Sequence, residues 1–191
     1  LVEETFDHSL LEAAGGGVQY KDIRASKIIF CDGAGAADNP WFRNLPFACN
    51  KGEALIIKSD HLPTDKVFKK NISLAPLSGN LFWAGSSYEW DFQDDKPSAI
   101  FRQRTEDHLR QWIKTPFEIT DHLASIRPAT VERKPFVGIH PHHPQIAILN
   151  GMGAKGCSLA PYFANQLVNH LVKNTPLMKE ADVNRYRRIL S

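Results

Sequence analysis

No apolar run in the sequence approaches the roughly 20 residues that a membrane-crossing helix needs. Cysteine is scarce: Cys31, Cys49 and Cys157 are odd in number and widely spaced, which excludes a disulfide framework and a zinc-ligand pattern. That usage points to a reducing, cytoplasmic setting. An excess of either charge is missing as well. The 23 Lys and Arg residues against 21 Asp and Glu leave +2, too little to hold nucleic acid or an anionic membrane by net charge. The chain lacks an initiator methionine, and Leu1-Val2-Glu3-Glu4 is neither a signal peptide nor a transit peptide. A piece of a longer polypeptide is the expectation. Internal repeats and low-complexity segments are absent too.

What is present is an ordinary globular composition. Apolar residues make up 42% and charged residues 23% of 191, enough for one sizeable core or two small lobes and incompatible with global disorder. Residues 17–20, 27–31 and 54–58 read as strands, the second as a run buried on both faces. Segments 67–75 and 81–87 flank Ser78-Gly79-Asn80 as a hairpin. Ile100, Phe101, Thr105, Leu109, Trp112 and Ile113 recur at helical spacing, predicting a helix over 98–114 capped by Ser98 or Asp95. Pro135–His140 and Gln145–Asn150 read as paired strands. Leu159, Phe163, Leu167, Val168, Leu171 and Val172 predict a helix over 158–173, with a short basic helix in the tail through Arg185, Arg187 and Arg188. This order is not a regular βαβα alternation, so a complete doubly wound domain is not expected.

Two glycine turns stand out. Gly151-Met152-Gly153-Ala154-Lys155-Gly156 matches G-x-G-x-x-G after an apolar strand and opens a helix, with Ser158 as a candidate cap. Helix-start N–H groups suit an electronegative ligand atom. A dinucleotide fingerprint also needs an acidic residue about 20 positions on, after a second strand. No acidic residue occurs between Cys157 and Lys179, so a nicotinamide-binding reading fails. A ligand-free strand-to-helix turn remains open. Asp32-Gly33-Ala34-Gly35 is a second glycine turn after a strand.

Arg127-Pro128, Thr130, Glu132, Pro135, Gly138, the strand to Asn150, the loop 151–156 and Ala160-Pro161 follow one another in an order that resembles the C-terminal signature of the D-amino-acid oxidase and glycine oxidase superfamily of flavoproteins. Ile28 to Gly35 resembles that family's second flavin-domain strand and its Gly turn. Lys51-Gly52-Glu53 resembles the opening of its substrate domain, and Arg185-Tyr186 the closing of its tail. The family's N-terminal βαβ unit has no counterpart here. The usual Asp after the Thr is Glu132. No cysteine falls between Arg127 and Gly138, where sarcosine-oxidase relatives tether their flavin.

The resemblance implies an α+β fold. A mixed, largely antiparallel sheet with flanking helices would form the substrate domain (49–126). Residues 1–48 and 127–191 would be the remainder of an FAD-binding domain, including its C-terminal strand, loop and helix. It implies non-covalent FAD in a full-length parent that oxidises a C–N bond of an amino acid or secondary amine, with hydride passing to the flavin and the imine then hydrolysed by water. Arg127 would grip the substrate carboxylate; a salt-bridged structural arginine is the bland alternative. Gly151, Met152, Gly153, Ala154, Lys155 and Gly156 would lie at the flavin N1–C2=O edge, and Gly33, Ala34 and Gly35 near the adenosine or pyrophosphate. Tyr88, Trp90 or Trp83 would wall the pocket, Tyr88 as a possible donor to the carboxylate.

Three histidines in a Pro-flanked turn, His140, His142 and His143, are ill-placed to converge on one ion, and no metal site is expected. The expected partner is a small amine or amino acid, with no membrane and no nucleic acid; oligomeric state is left open. Two alternatives stand: a tRNA wobble-base amine oxidase of the same superfamily, and a non-catalytic module that keeps the fold. The fragment alone is expected to be inactive and to bind no FAD stably.

Overall fold

The computed structural model describes all 191 residues, Leu1–Ser191. Along the chain run strands β1 (Leu11–Ala14), β2 (Gly17–Tyr20), β3 (Ile23–Ala25), β4 (Ile28–Phe30) and β5 (Asn50–Lys58). Next come β6 (Phe68–Lys70), β7 (Ile72–Pro76), β8 (Leu81–Gly85), helix α1 (Ala99–Trp112) and β9 (Glu118–Arg127). The chain closes with β10 (Phe136–His140), β11 (His143–Asn150) and helix α2 (Gly156–Lys173). The fold is α+β with predominantly antiparallel sheets. Residues 1–49 with 128–191 form one compact unit and residues 50–127 a second.

In the first unit β1, β2 and β3 make a small antiparallel sheet. A second sheet, ordered β10-β11-β4, pairs β10 with β11 antiparallel and β11 with β4 in parallel. Successive side chains of a strand point to opposite faces, and β10 and β11 use both. Phe136, Ile146 and Ile148 join Phe30, Phe42 and Val183 on one side. Val137 packs with Phe163 and Leu167 of α2 on the other. β4 departs from the sequence expectation: only Phe30 is buried, while Ile29 is 40% exposed, so the run is one-sided. Ser158 is not the cap of α2. The helix begins earlier, and the Ser158 hydroxyl donates to the Lys155 carbonyl within the first turn. The basic tail forms a 3₁₀ turn at Val183–Tyr186 rather than a helix of full length.

In the second unit all five strands are antiparallel, in the order β6-β7-β8-β5-β9. Leu55, Ile57, Leu74, Phe82 and Ala84 form its core with Phe101 and Leu109 of α1. The Ser98 hydroxyl accepts from the Phe101 N–H at 3.2 Å, the N-cap that the sequence suggests. The segment expected as a single strand over 67–75 is two strands, β6 and β7, folded back at Asn71, whose φ is +63°. Strand β9 has no clear alternation in sequence. It is an edge strand, and a register shift at Ile56/Ile57 of β5 interrupts the pairing that would have made its pattern regular.

Candidate functional site

Arg127 closes β9 opposite Asn50 at the start of β5. Directly opposed residues share a face of the sheet, as do residues two apart along a strand, so Asn50, Gly52 and Arg127 lie on one side. There the Arg127 guanidinium donates from Nη1 to Asn50 Oδ1 at 2.8 Å and to the Ser87 carbonyl at 3.1 Å. Its Nη2 donates to Ser86 Oγ at 2.7 Å. These bonds take up both Nη1 hydrogens and one of Nη2, leaving Nε–H and the second Nη2–H for another acceptor. The Tyr88 ring lies 4.4 Å from the guanidinium carbon, within cation–π range, and the tyrosine is 58% exposed. No ion pair of the structure includes Arg127. Its orientation comes entirely from neutral acceptors, and its charge has no carboxylate partner. The salt-bridged alternative therefore finds no support in the geometry.

The opposite face of β5 carries the charges that are paired. Lys51 and Glu53 are both buried, 3.7 Å apart, and Lys51 reaches Asp94 at 3.6 Å. Glu53 accepts from the Ser98 N–H at 2.6 Å and the Ser98 hydroxyl at 2.7 Å, fastening the start of α1. His122 Nε2 lies 2.9 Å from Glu53 Oε2, yet off the line that a hydrogen bond needs, so that nitrogen stays formally unpaired. Backbone bonds between Lys51 and Glu89, and from the Ser87 N–H to the Glu53 carbonyl, pin the segment that carries Ser86, Ser87 and Tyr88 against β5. Trp90 on this segment is 61% exposed, and Trp83 is part-buried in β8.

In the first unit one side chain ties the two glycine turns together. Buried Asn150 donates from Nδ2 to Asp32 Oδ1 and to the Gly33 carbonyl, both at 2.9 Å, and its Oδ1 accepts from the Gly151 N–H at 2.7 Å. Gly33, Ala34 and Gly35, which sit in a 3₁₀ turn, are thus brought beside the loop 151–156. Gly151 at φ +80° and Gly153 at φ +53° adopt the left-handed region that favours glycine. A Cβ on Gly151 would meet Thr130 Cγ2 at 2.6 Å, and the Gly153 N–H donates to the Pro128 carbonyl at 3.1 Å. Met152 is part-buried against the core beside α2, while Ala154 and Lys155 are exposed. No side chain caps α2, so its first-turn N–H groups and their partial positive charge have no side-chain acceptor.

Thr130 bonds both the N–H and the carbonyl of Lys134, closing a turn. Arg185 donates to the Pro135 carbonyl and stacks on Phe136 and Tyr186, with Glu132 at 3.7 Å. Motif residues spread over more than 50 positions meet here for structural reasons. The model for FAD dependent oxidoreductases matches residues 4–170 of the chain. The protein belongs to this family. Solved structures of the same fold include iminodiacetate oxidase from Chelativorans sp. BNC1, with 20% identity and TM-score 0.73 over 90% of this chain and 51% of that one. Glycine oxidase from Geobacillus kaustophilus shows 21% identity and TM-score 0.67, over 87% and 48%. L-Proline dehydrogenase from P. horikoshii shows 17% identity and TM-score 0.71, over 93% and 54%. The chain spans about half the length of these structures.

The residues present fit the family's flavin. The uncapped helix start and the exposed Lys155 offer backbone and side-chain donors suited to an electron-rich or anionic group, while the Gly151 and Gly153 N–H groups are already engaged by Asn150 and Pro128. A cavity of about 370 Å³ under the amino-terminal segment, lined mostly by apolar residues such as Phe6, Val18 and Ile28, contains none of the candidate residues. The histidine turn is occupied otherwise: His140 is buried, its Nδ1 accepts from the His142 N–H, and burial, with His143 and His142 adding to it, lowers its pKa to about 4. No three metal-ligating side chains converge anywhere in the structure, and no helix is long and apolar enough to cross a membrane.

Sequence reasoning missed Asn50, Ser86, Ser87 and Asn150. A polar residue ending an apolar strand directly before a glycine was the available signal for Asn150. For Asn50 it was Gly52, two residues on and so on the same face of the strand, since glycine in a strand marks close backbone approach.

Proposed function

We propose that the full-length protein is an FAD-dependent oxidase or dehydrogenase acting on the C–N bond of an amino acid or secondary amine. The observation that carries this is the Arg127 guanidinium, fixed by three neutral hydrogen bonds and free of any carboxylate. A charge so oriented yet uncompensated suits an anion arriving from outside, and a guanidinium fork matches a carboxylate. Iminodiacetate, glycine and proline, the compounds in the names of the structural neighbours, each carry a carboxylate beside an amine nitrogen.

On this reading the unit of residues 1–49 and 128–191 contributes to FAD binding, through Gly33, Ala34, Gly35 and the loop 151–156. The unit of residues 50–127 holds the substrate. FAD supplies the acceptor for a hydride leaving the carbon beside nitrogen. This chain's share is orientation and electrostatics. Arg127 holds the carboxylate, Tyr88 shields one side of the guanidinium, and the N–H groups opening α2 with Lys155 supply positive potential for the flavin. The imine left on the substrate is hydrolysed by water.

Replacing Arg127 by Ala in the full-length protein is expected to raise KM for carboxylate-bearing substrates and to cost roughly 2–5 kcal/mol in kcat/KM. Unchanged steady-state constants would remove the role given to Arg127.

A further inference from the structure

Gly52 occupies β5 where β9 flanks the strand on one side and the Ser87–Glu89 segment on the other, a position at which glycine weakens a sheet. Its backbone is extended, so no left-handed conformation explains it. Space explains it. A Cβ at residue 52 would overlap Nη2, Cζ and Nη1 of Arg127, and these are its three nearest atoms. The guanidinium folds diagonally from its place opposite Asn50 and lies against the bare backbone of Gly52.

We propose that Gly52 is a positioning residue for substrate-carboxylate binding: its missing side chain is the slot in which the Arg127 guanidinium lies, with Asn50 and Ser86 fixing its rotation there. This rests on the carboxylate-binding reading of Arg127 above. The slot does two things. It lets the planar group lie close enough to the strand to reach Asn50 Oδ1, the Ser87 carbonyl and Ser86 Oγ at once. It also lets the guanidinium lie flat on the face that the Asn50–Arg127 pairing sets, opposite the face from which Lys51 engages the carboxylates of Glu53 and Asp94. The sheet thereby separates a guanidinium kept for an incoming anion from carboxylates that would otherwise neutralise it.

The atoms that a new Cβ would meet belong to the far end of a flexible side chain. Gly52→Ala should therefore be accommodated by swinging the guanidinium out of its slot, with the fold intact and the anion site displaced. A misplacement of about 1 Å in such a site costs on the order of 100-fold in rate.

The test uses full-length, FAD-loaded protein with acetate as the minimal carboxylate probe and acetamide as its neutral control. Acetate affinity is read as inhibition of turnover and as perturbation of the flavin absorbance, and thermal midpoints are measured alongside. Gly52→Ala is expected to keep the wild-type midpoint within a few degrees and to weaken acetate about tenfold or more. Ser86→Ala is expected to weaken it a few-fold, and this variant carries the test should Gly52→Ala not fold. In an Arg127→Ala background, Gly52→Ala should cause no further loss. Wild-type acetate affinity in Gly52→Ala, or an equal loss with and without Arg127, overturns the proposal. Wild-type affinity in Arg127→Ala overturns the carboxylate reading itself, and the slot with it.

Discussion

On the proposed reading the glycine loop works through the backbone N–H groups that open α2, which no side chain caps, next to Gly151 and Gly153 in left-handed conformations that favour glycine. In the arginine cradle the working group is one long side chain, held by acceptors from two separate stretches of chain, at Asn50 and at Ser86–Ser87, with the Tyr88 ring beside the guanidinium. On that reading the two regions present positive potential by opposite means. A backbone-built site depends on φ and close packing, so it is intolerant of any added side chain. A cradle built from side chains depends on strand register and on what lies behind the strand. Damage to the first should therefore appear as strain, and damage to the second as loss of support or loss of orientation.

Removing the support beneath the cradle has the largest expected effect. Glu53→Ala leaves buried Lys51 with only the half-exposed Asp94 as a carboxylate partner and strips the Ser98 N–H and hydroxyl of their acceptor. Breaking a buried pair from one side costs about 3–5 kcal/mol. Denaturant unfolding should show that loss; a change under about 1 kcal/mol would mean that the network behind β5 contributes little. A smaller effect is expected in the loop. Gly151→Ala places a methyl group against Thr130 Cγ2 in a left-handed backbone, at a cost of about 1–3 kcal/mol. If FAD affinity of the full-length protein and stability both survive this change, the loop is not the strained device described above.

The same contrast explains what could be read from the amino acids alone. The glycine loop was legible because its parts are contiguous: apolar strand, glycines, then a helix with Phe163 and Leu167 at core spacing. Helix α1 was legible through Ser98 and the run Phe101, Thr105, Leu109. The cradle was not. Arg127 stood out, but its partners at residues 50, 52, 86 and 87 meet it only through the β5–β9 and β5–β8 registers, which local periodicity does not encode. Strand β9 itself was hidden by its edge position and the shift at Ile56/Ile57. Residues 67–75 misled for a related reason: Asn71 reverses the chain through a left-handed φ of +63° inside what reads as continuous strand. Asn150 shows the remaining gap, since its link to Gly33 spans 117 residues.

The central claim is that the uncompensated guanidinium of Arg127 selects substrates by their carboxylate. It is tested most directly by mixing the full-length protein anaerobically with a panel of amino acids and secondary amino acids, each beside its methyl ester, while following the flavin absorbance. Rapid bleaching by one or more of the free acids, with their esters slower by at least tenfold, is the expected result. Bleaching at equal rates by acid and ester would contradict the account.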